Sequence, residues 1–346
     1  MPLCRIPVRR IYRNTGRKVA APYFQDGQKI RGTQIAGLIL LSAILFFPAL
    51  FPGKIGWLTS LVPLPVFYYL VIFEKRAGTA LLRNAILLAA GVSLLIGSLP
   101  TLLFSLTMVP PGIAFSYAVF KRKSPVEAGF LGSLVLALAW FLFWFGLATL
   151  HQTNPYTTLL LELDKGLSSG LVLYEESAEL APETLESVRR AVELLKVYIP
   201  KILPALMISA ILSTTLLNLS LGNWLLRKKD KELSPWPDYK EWKLPEPLVW
   251  LVVFAGVTVL LLPPPLSTIG INGLIVCITL YFFQGLAITT SLLNRWSVPR
   301  LIRLLIYALI FIQTYGIIVL SFLGLADVWA DFRKLNQTGD NNNTTI

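Results

Sequence analysis

Residues 126–150 read VEAGFLGSLVLALAWFLFWFGLATL, and Glu127, at the second position, is their only charge. As a helix rising ~1.5 Å per residue this run exceeds the ~30 Å hydrocarbon layer of a bilayer. Its apolar residues are continuous rather than alternating, which predicts a helix and not a barrel strand. Lys121-Arg122-Lys123 stand before it and the polar His151-Gln152-Thr153-Asn154 follow it. A stretch of this kind belongs in lipid.

Eight more apolar runs lie on either side: Gln34–Phe51, Ile55–Phe73, Arg83–Leu99, Thr101–Phe120, Tyr198–Leu226, Leu248–Leu262, Leu266–Leu293 and Leu304–Leu325. The whole chain agrees with them. Of 346 residues 55% are apolar or aromatic and only 14% charged, against ~25% in an ordinary soluble domain. Mean hydropathy is +0.64. A soluble globular enzyme, a disordered chain and a fibrous rod are all excluded. The expected fold is all-α, a polytopic transmembrane helix bundle of eight or nine spans, several broken by proline. Residues 1–33 form a basic arm, 34–326 the transmembrane domain and 327–346 a polar tail, whose Asn341–Ile346 end is expected to be disordered.

The basic residues orient the bundle. The arm holds Arg5, Arg9, Arg10, Arg13, Arg17, Lys18, Lys29 and Arg31 against Asp26, so the N-terminus is expected in the cytoplasm of a multi-pass protein of the cell (inner) membrane. Later basic clusters at 75–76, 121–123, 227–229 and 295–303 are each two spans apart and fall on the same side. Residues 151–197 then lie outside. They carry eight acids against four bases. Pro182 can open a helix there, with Leu185, Val188, Val192 and Leu195 at helical spacing, as an amphipathic element on the outer surface or leaning on the bundle and running towards the sixth run, either covering the bundle top or forming a lid over an outward-facing cavity.

Signatures of chemistry are scarce. His151 is the only histidine, and Cys4 and Cys277 are far apart. No zinc or copper site, disulfide framework or cofactor is expected. A phosphate-binding glycine loop and a zinc-protease helix are absent, and no carboxylate falls mid-span. An enzyme is not expected; the Asp327/Asp331/Arg333 group would be its candidate centre, and reads better as an interfacial anchor. Amides and phenols remain inside the runs, and Asn218, Asn272, Tyr281, Gln284 and Gln313 are the candidates for lining a ligand path. Gln284, Ser291 and Arg295 share one helical face. Each amide can equally be interhelical glue. Ala85, Ala89, Ser93 and Gly97 recur every four residues as a ridge on which another helix can pack closely. Pro100, Pro110, Pro111, Pro200, Pro204 and Pro263-Pro264-Pro265 interrupt runs, and broken helices persist in lipid only where protein or a cavity satisfies the freed carbonyls.

The C-terminal third carries recognisable strings: Trp242-Lys243-Leu244-Pro245, Gly270-Ile271-Asn272, Tyr281-Phe282-Phe283-Gln284-Gly285-Leu286-Ala287-Ile288, and residues 324–334, GLADVWADFRK. In these, and in hydropathy from about residue 34 to 335, the chain resembles the YybS-like family of bacterial polytopic membrane proteins. That family is distantly similar to the substrate-binding membrane subunits of energy-coupling-factor vitamin transporters, which hold a small molecule between helices and rely on separate ATPase and scaffold subunits. The resemblance implies a non-enzymatic binding or transport subunit. One departure concerns docking: those subunits use small residues spaced by four on the first helix, and here the spacing from Ala36 meets Leu40. The alternative is a structural or regulatory membrane protein acting through helix–helix contacts with partner proteins. Expected partners are the lipid bilayer, other membrane subunits and an unidentified small molecule; nucleic acid is not expected, since the arm lacks interleaved aromatics.

Overall fold

The computed structural model describes residues 27–50, 55–176, 182–230 and 233–333, and regular structure among them is helical throughout. We number the helices α1 (Gly27–Leu50), α2 (Pro63–Ile72), α3 (Glu74–Ile96), α4 (Leu99–Leu106), α5 (Val109–Phe120), α6 (Pro125–His151), α7 (Pro155–Glu176), α8 (Pro182–Lys229), α9 (Leu248–Leu261), α10 (Leu266–Arg295), α11 (Arg300–Ile312) and α12 (Thr314–Ala330). A 3₁₀ turn, Gly56–Leu61, precedes α2. Residues 1–26 of the basic arm and 334–346 of the tail lie outside the described residues.

The run at 126–150 becomes α6, and its start follows from three residues. Ser124 caps it, accepting from the Glu127 amide at 3.2 Å while its own N–H donates to the Glu127 carboxylate at 2.8 Å. Pro125 supplies the preset φ of a first helical position. Phe130, Phe141 and Phe145 on α6 are exposed, as side chains facing lipid are.

All nine apolar runs turn helical, yet the expected span count needs correction. Among the described residues five stretches are long and apolar enough to cross a membrane: Arg76–Ile96, Leu99–Phe120, Pro125–His151, Pro182–Lys229 and Leu266–Arg295. A sixth exists if Arg300–Ile310 and Tyr315–Ala330, bent by 104° at Gln313, are one broken span. Gly32–Pro48, Gly56–Ile72 and Leu248–Leu261 are apolar but short. The 14 residues of α9 reach only ~21 Å. Hydropathy reports where a chain is greasy, and proline decides where a helix stops. Pro63 opens α2, and Pro263-Pro264-Pro265 separate α9 from α10.

Residues 151–197 differ from a surface helix. Pro182 does open a helix, but that helix is α8 itself, 48 residues running unbroken through the sixth apolar run. Its ~72 Å is more than twice the hydrocarbon thickness. The segment before it forms α7, and the two pair as a hairpin. Leu185, Val188 and Val192 are half-buried along the seam, while Leu195 points outward at 45% exposure. Arg189 meets Glu175 at 2.6 Å, and Lys196 meets Asp164 at 2.8 Å. These exposed pairs are each worth no more than about 1 kcal/mol. No residue of α7 is fully buried.

The core has two main parts. Ala85, Ala89 and Ser93 of the small-residue ridge are wholly buried, and the two alanines pack with Leu41 and Leu45 of α1. The ridge therefore serves this chain's own packing. Gly97 stands apart, in a left-handed conformation (φ 74°) that ends α3. The second part joins Phe67, Phe115, Ala128, Leu219 and Trp236.

Candidate functional site

Three buried polar side chains, Asn223, Gln284 and Asp327, lie where the loop between α8 and α9 passes across the helices. Residues 233–247, LSPWPDYKEWKLPEP, form a strap whose backbone is gripped by helix side chains. At its first half Asn223 donates to the carbonyls of Trp236 and Pro237 (3.3 and 3.0 Å). Arg227 donates to Trp236 O at 2.7 Å and pairs with Asp238 at 2.7 Å. The Trp236 ring is buried, stacks on Phe67, and sends its indole N–H to Lys123 O at 2.9 Å. The strap is thereby tied to α2 and to the α5–α6 turn.

Its second half is tied to α10 and α12. Gln284 accepts from the Leu244 amide at 3.0 Å and donates to Gly324 O at 3.0 Å and to Asp327 at 3.4 Å. Asp327 pairs with Arg333 at 2.8 Å, both side chains 1% exposed. Arg333 also donates to Lys240 O and Trp242 O (2.9 and 2.7 Å). Asp331, in a left-handed conformation, ends α12 and turns the chain back, so that the Phe332 amide also reaches Asp327 at 3.0 Å. Tyr239 donates to Phe283 O at 2.5 Å. Desolvation, with the nearby Tyr307 adding to it and Arg333 opposing it, pushes the Tyr239 phenol well above its ordinary range, so it remains a donor at every physiological pH.

The five predicted ligand residues do not meet in one cavity. Gln284 lies in the node just described, with both amide atoms bonded to protein. Asn272 bridges α10 to the stretch of α8 that carries Pro200 and Pro204 inside the continuous helix: it accepts from the Ala205 amide and donates to Lys201 O, each at 2.9 Å. Pro204 has no N–H for the Pro200 carbonyl, and Tyr156 donates to that oxygen at 3.2 Å. Asn218 is fully buried elsewhere, donating to Ser60 O and Thr214 O at 2.7 Å, and its carbonyl oxygen has no protein partner. Tyr281 is buried with an unpartnered hydroxyl. Gln313 is exposed at the α11–α12 break. The face expected to line a path also dissolves, since Gln284 is buried and Arg295 exposed. Two surface pockets lie at the hairpin instead. One of about 280 Å³ is lined by Trp144, Leu147, His151 and Thr158, and a small one by Leu163, Asp164 and Lys196.

No sequence signal singled out Trp236 or Tyr239, while Asp327 and Arg333, expected as an interfacial anchor, form a buried ion pair that ties the strap. Asp327 and Arg333 lie six apart, a separation no helix face joins, and only the turn at Asp331 brings them together. A signal was present in the strings of the C-terminal third. Trp242, Leu244, Gln284, Gly324, Asp327 and Arg333 all come from those strings and all converge here.

A family model described as a predicted membrane protein, DUF2232, matches residues 39–328. The chain belongs to this family. No curated protein and no solved structure matches it. DUF2232 membership and the five or six long apolar helices make the chain a multi-pass membrane protein. The DUF2232 match takes in Gln284 and Asp327 and stops five residues before Arg333.

Replacing Asn272 tests the bridge. Asn272→Leu leaves Lys201 O and Ala205 N without their side-chain partners beside two prolines, and is expected to lower stability by about 1–2 kcal/mol. Thermal unfolding in detergent measures it, and an unchanged midpoint would show that α8 needs no support there.

Proposed function

We propose that this protein is a non-enzymatic integral membrane protein that acts through contacts with partner proteins, structural or regulatory in role. The observation that carries the reading is how the membrane amides are used. Gln284 and Asn272 spend both ends of their side chains on the chain's own backbone, which ties helices and strap together and leaves neither of these two amides for a ligand. The α7–α8 hairpin is the contact element. It extends beyond the length a bilayer needs and presents Leu161, Leu173 and Leu194 at 57–70% exposure. The bundle lies in the cell (inner) membrane with its N-terminus cytoplasmic, on the argument of the basic clusters, and the hairpin is then outside.

Photo-crosslinking in intact cells tests this. A photoreactive residue at Leu161 or Leu173 is expected to capture a second protein, while one at Leu260, an 83% exposed side chain on α9, captures lipid. Equal, protein-free outcomes at both places would remove the contact reading.

A second reading, suggested by the likeness to vitamin-transporter binding subunits, is a small-molecule binding or transport subunit. It is favoured by the buried oxygens of Asn218 and Tyr281 that lack protein partners. Thermal stabilisation of the purified protein by vitamins or metal chelates would support it, and loss of that effect in Asn218→Ala or in Tyr281→Phe would tell which of the two buried oxygens a ligand meets.

A further inference from the structure

We propose that the α5–α6 turn and the end of α8 together form a binding site for the phosphate of an anionic phospholipid. Three stretches long enough to cross a membrane begin or end here: Leu99–Phe120, Pro125–His151 and Pro182–Lys229. Their shared terminus places the site at the level of lipid headgroups. Trp236 fixes the two segments side by side, since its indole holds Lys123 O and its carbonyl holds the Arg227 guanidinium. Lys121 and Lys123 are thereby brought within the reach of one tryptophan from the end of α8, where Lys228 and Lys229 stand.

The charge left over is positive. Residues 121–127 and 227–238 carry Lys121, Arg122, Lys123, Arg227, Lys228, Lys229 and Lys231 against Glu127, Asp230, Glu232 and Asp238. Asp238 is occupied by Arg227, and the Glu127 carboxylate by the Ser124 amide. Lys121, Lys228 and Lys229 are exposed. Two of these ammoniums sit over half-exposed rings, Lys121 at 6.0 Å from the Tyr117 centroid and Lys228 at 5.3 Å from that of Trp224. Amphipathic rings beside ammoniums at the ends of apolar helices suit an interface, with the ring toward the chains and the cation toward phosphate. Exposed Phe130 on α6 and Leu217 on α8 extend the apolar surface from the same segments, so a diacyl lipid fits better than free phosphate. The site lies at the end of α8 remote from its pairing with α7 and does not rest on the contact reading above.

Lipid retention by the full-length protein in native mass spectrometry tests the site, with phosphatidylglycerol and phosphatidylcholine as probes. Each lysine near an anionic surface contributes about 1 kcal/mol, or about fivefold. The triple variant Lys121→Gln, Lys228→Gln, Lys229→Gln is expected to lose phosphatidylglycerol at least tenfold and to leave phosphatidylcholine unchanged. The corresponding triple arginine variant should retain the lipid, and Lys165→Gln with Arg190→Gln on the hairpin should behave as wild type. The proposal is overturned if the glutamine triple holds phosphatidylglycerol as wild type does while eluting as the same species. It is equally overturned if phosphatidylcholine binds as well, if inorganic phosphate alone displaces the lipid, or if short RNA binds more tightly than the lipid.

Discussion

Gly285→Ala is expected to destabilise the protein by about 2–3 kcal/mol, although alanine is the better helix former. The two effects oppose each other and their sizes decide the sign. In an exposed helix the change would gain about 1 kcal/mol. At position 285 the added Cβ would stand 1.9 Å from the Leu320 carbonyl oxygen, and at Gly324 the same addition would stand 2.1 Å from Tyr281 O. Both obstacles are backbone, so α10 and α12 would have to move apart. Overpacking of that kind costs typically 1–3 kcal/mol and sometimes more. The separation would also stretch Ser321 away from Ile278 O, now 2.9 Å, and Gln284 from Gly324 O. Gly146→Ala on α6 is the control, because nothing lies within 4 Å of its added Cβ; its midpoint should hold or rise. Thermal unfolding of both variants in one detergent gives the comparison, and equal midpoints would mean that the glycines are not what brings the two helices together.

That close crossing illustrates how far the sequence could be read. Glycines 285 and 324 are 39 positions apart on different helices, and no periodicity within either run links them. What could be read was local. Apolar continuity marked nine stretches that are helical, the spacing of Ala85, Ala89 and Ser93 marked a packing ridge, and Pro182 marked a helix start. The span count did not follow, because a run such as Leu304–Leu325 stays greasy through a 104° bend. The α7 helix offered no apolar run to mark it, because Glu162, Asp164 and Lys165 interrupt its leucines. The amides were recognisable as a class, but whether Asn272 serves a ligand or the backbone beside Pro204 depends on a contact 67 residues away.

The Asp327–Arg333 pair carries the other large effect. Asp327→Ala should cost about 3–5 kcal/mol, the range for removing one partner of a buried ion pair. The cost comes less from the lost attraction than from what remains. Arg333 would keep its two carbonyls on the strap, but its guanidinium would be an uncompensated charge in a place 1% exposed, with an Nε that already lacks a protein partner. The Phe332 amide and one Gln284 N–H would lose their acceptor as well. Asp327→Leu combined with Arg333→Met separates these contributions. If the burden is the stranded charge, the double variant should recover most of the loss, since the desolvation penalty of a buried pair nearly offsets its attraction. The recovered protein would still lack the hydrogen bonds from Arg333 to Lys240 O and Trp242 O. Its strap should therefore be cut faster by protease than in wild type, even at equal thermal midpoint. Stability and strap protection thus divide the pair's two duties: cancelling a buried charge and tying the loop that joins α8 to α9. If Asp327→Ala melts with wild type, or the double variant melts as low as the single, the node is not held by charge.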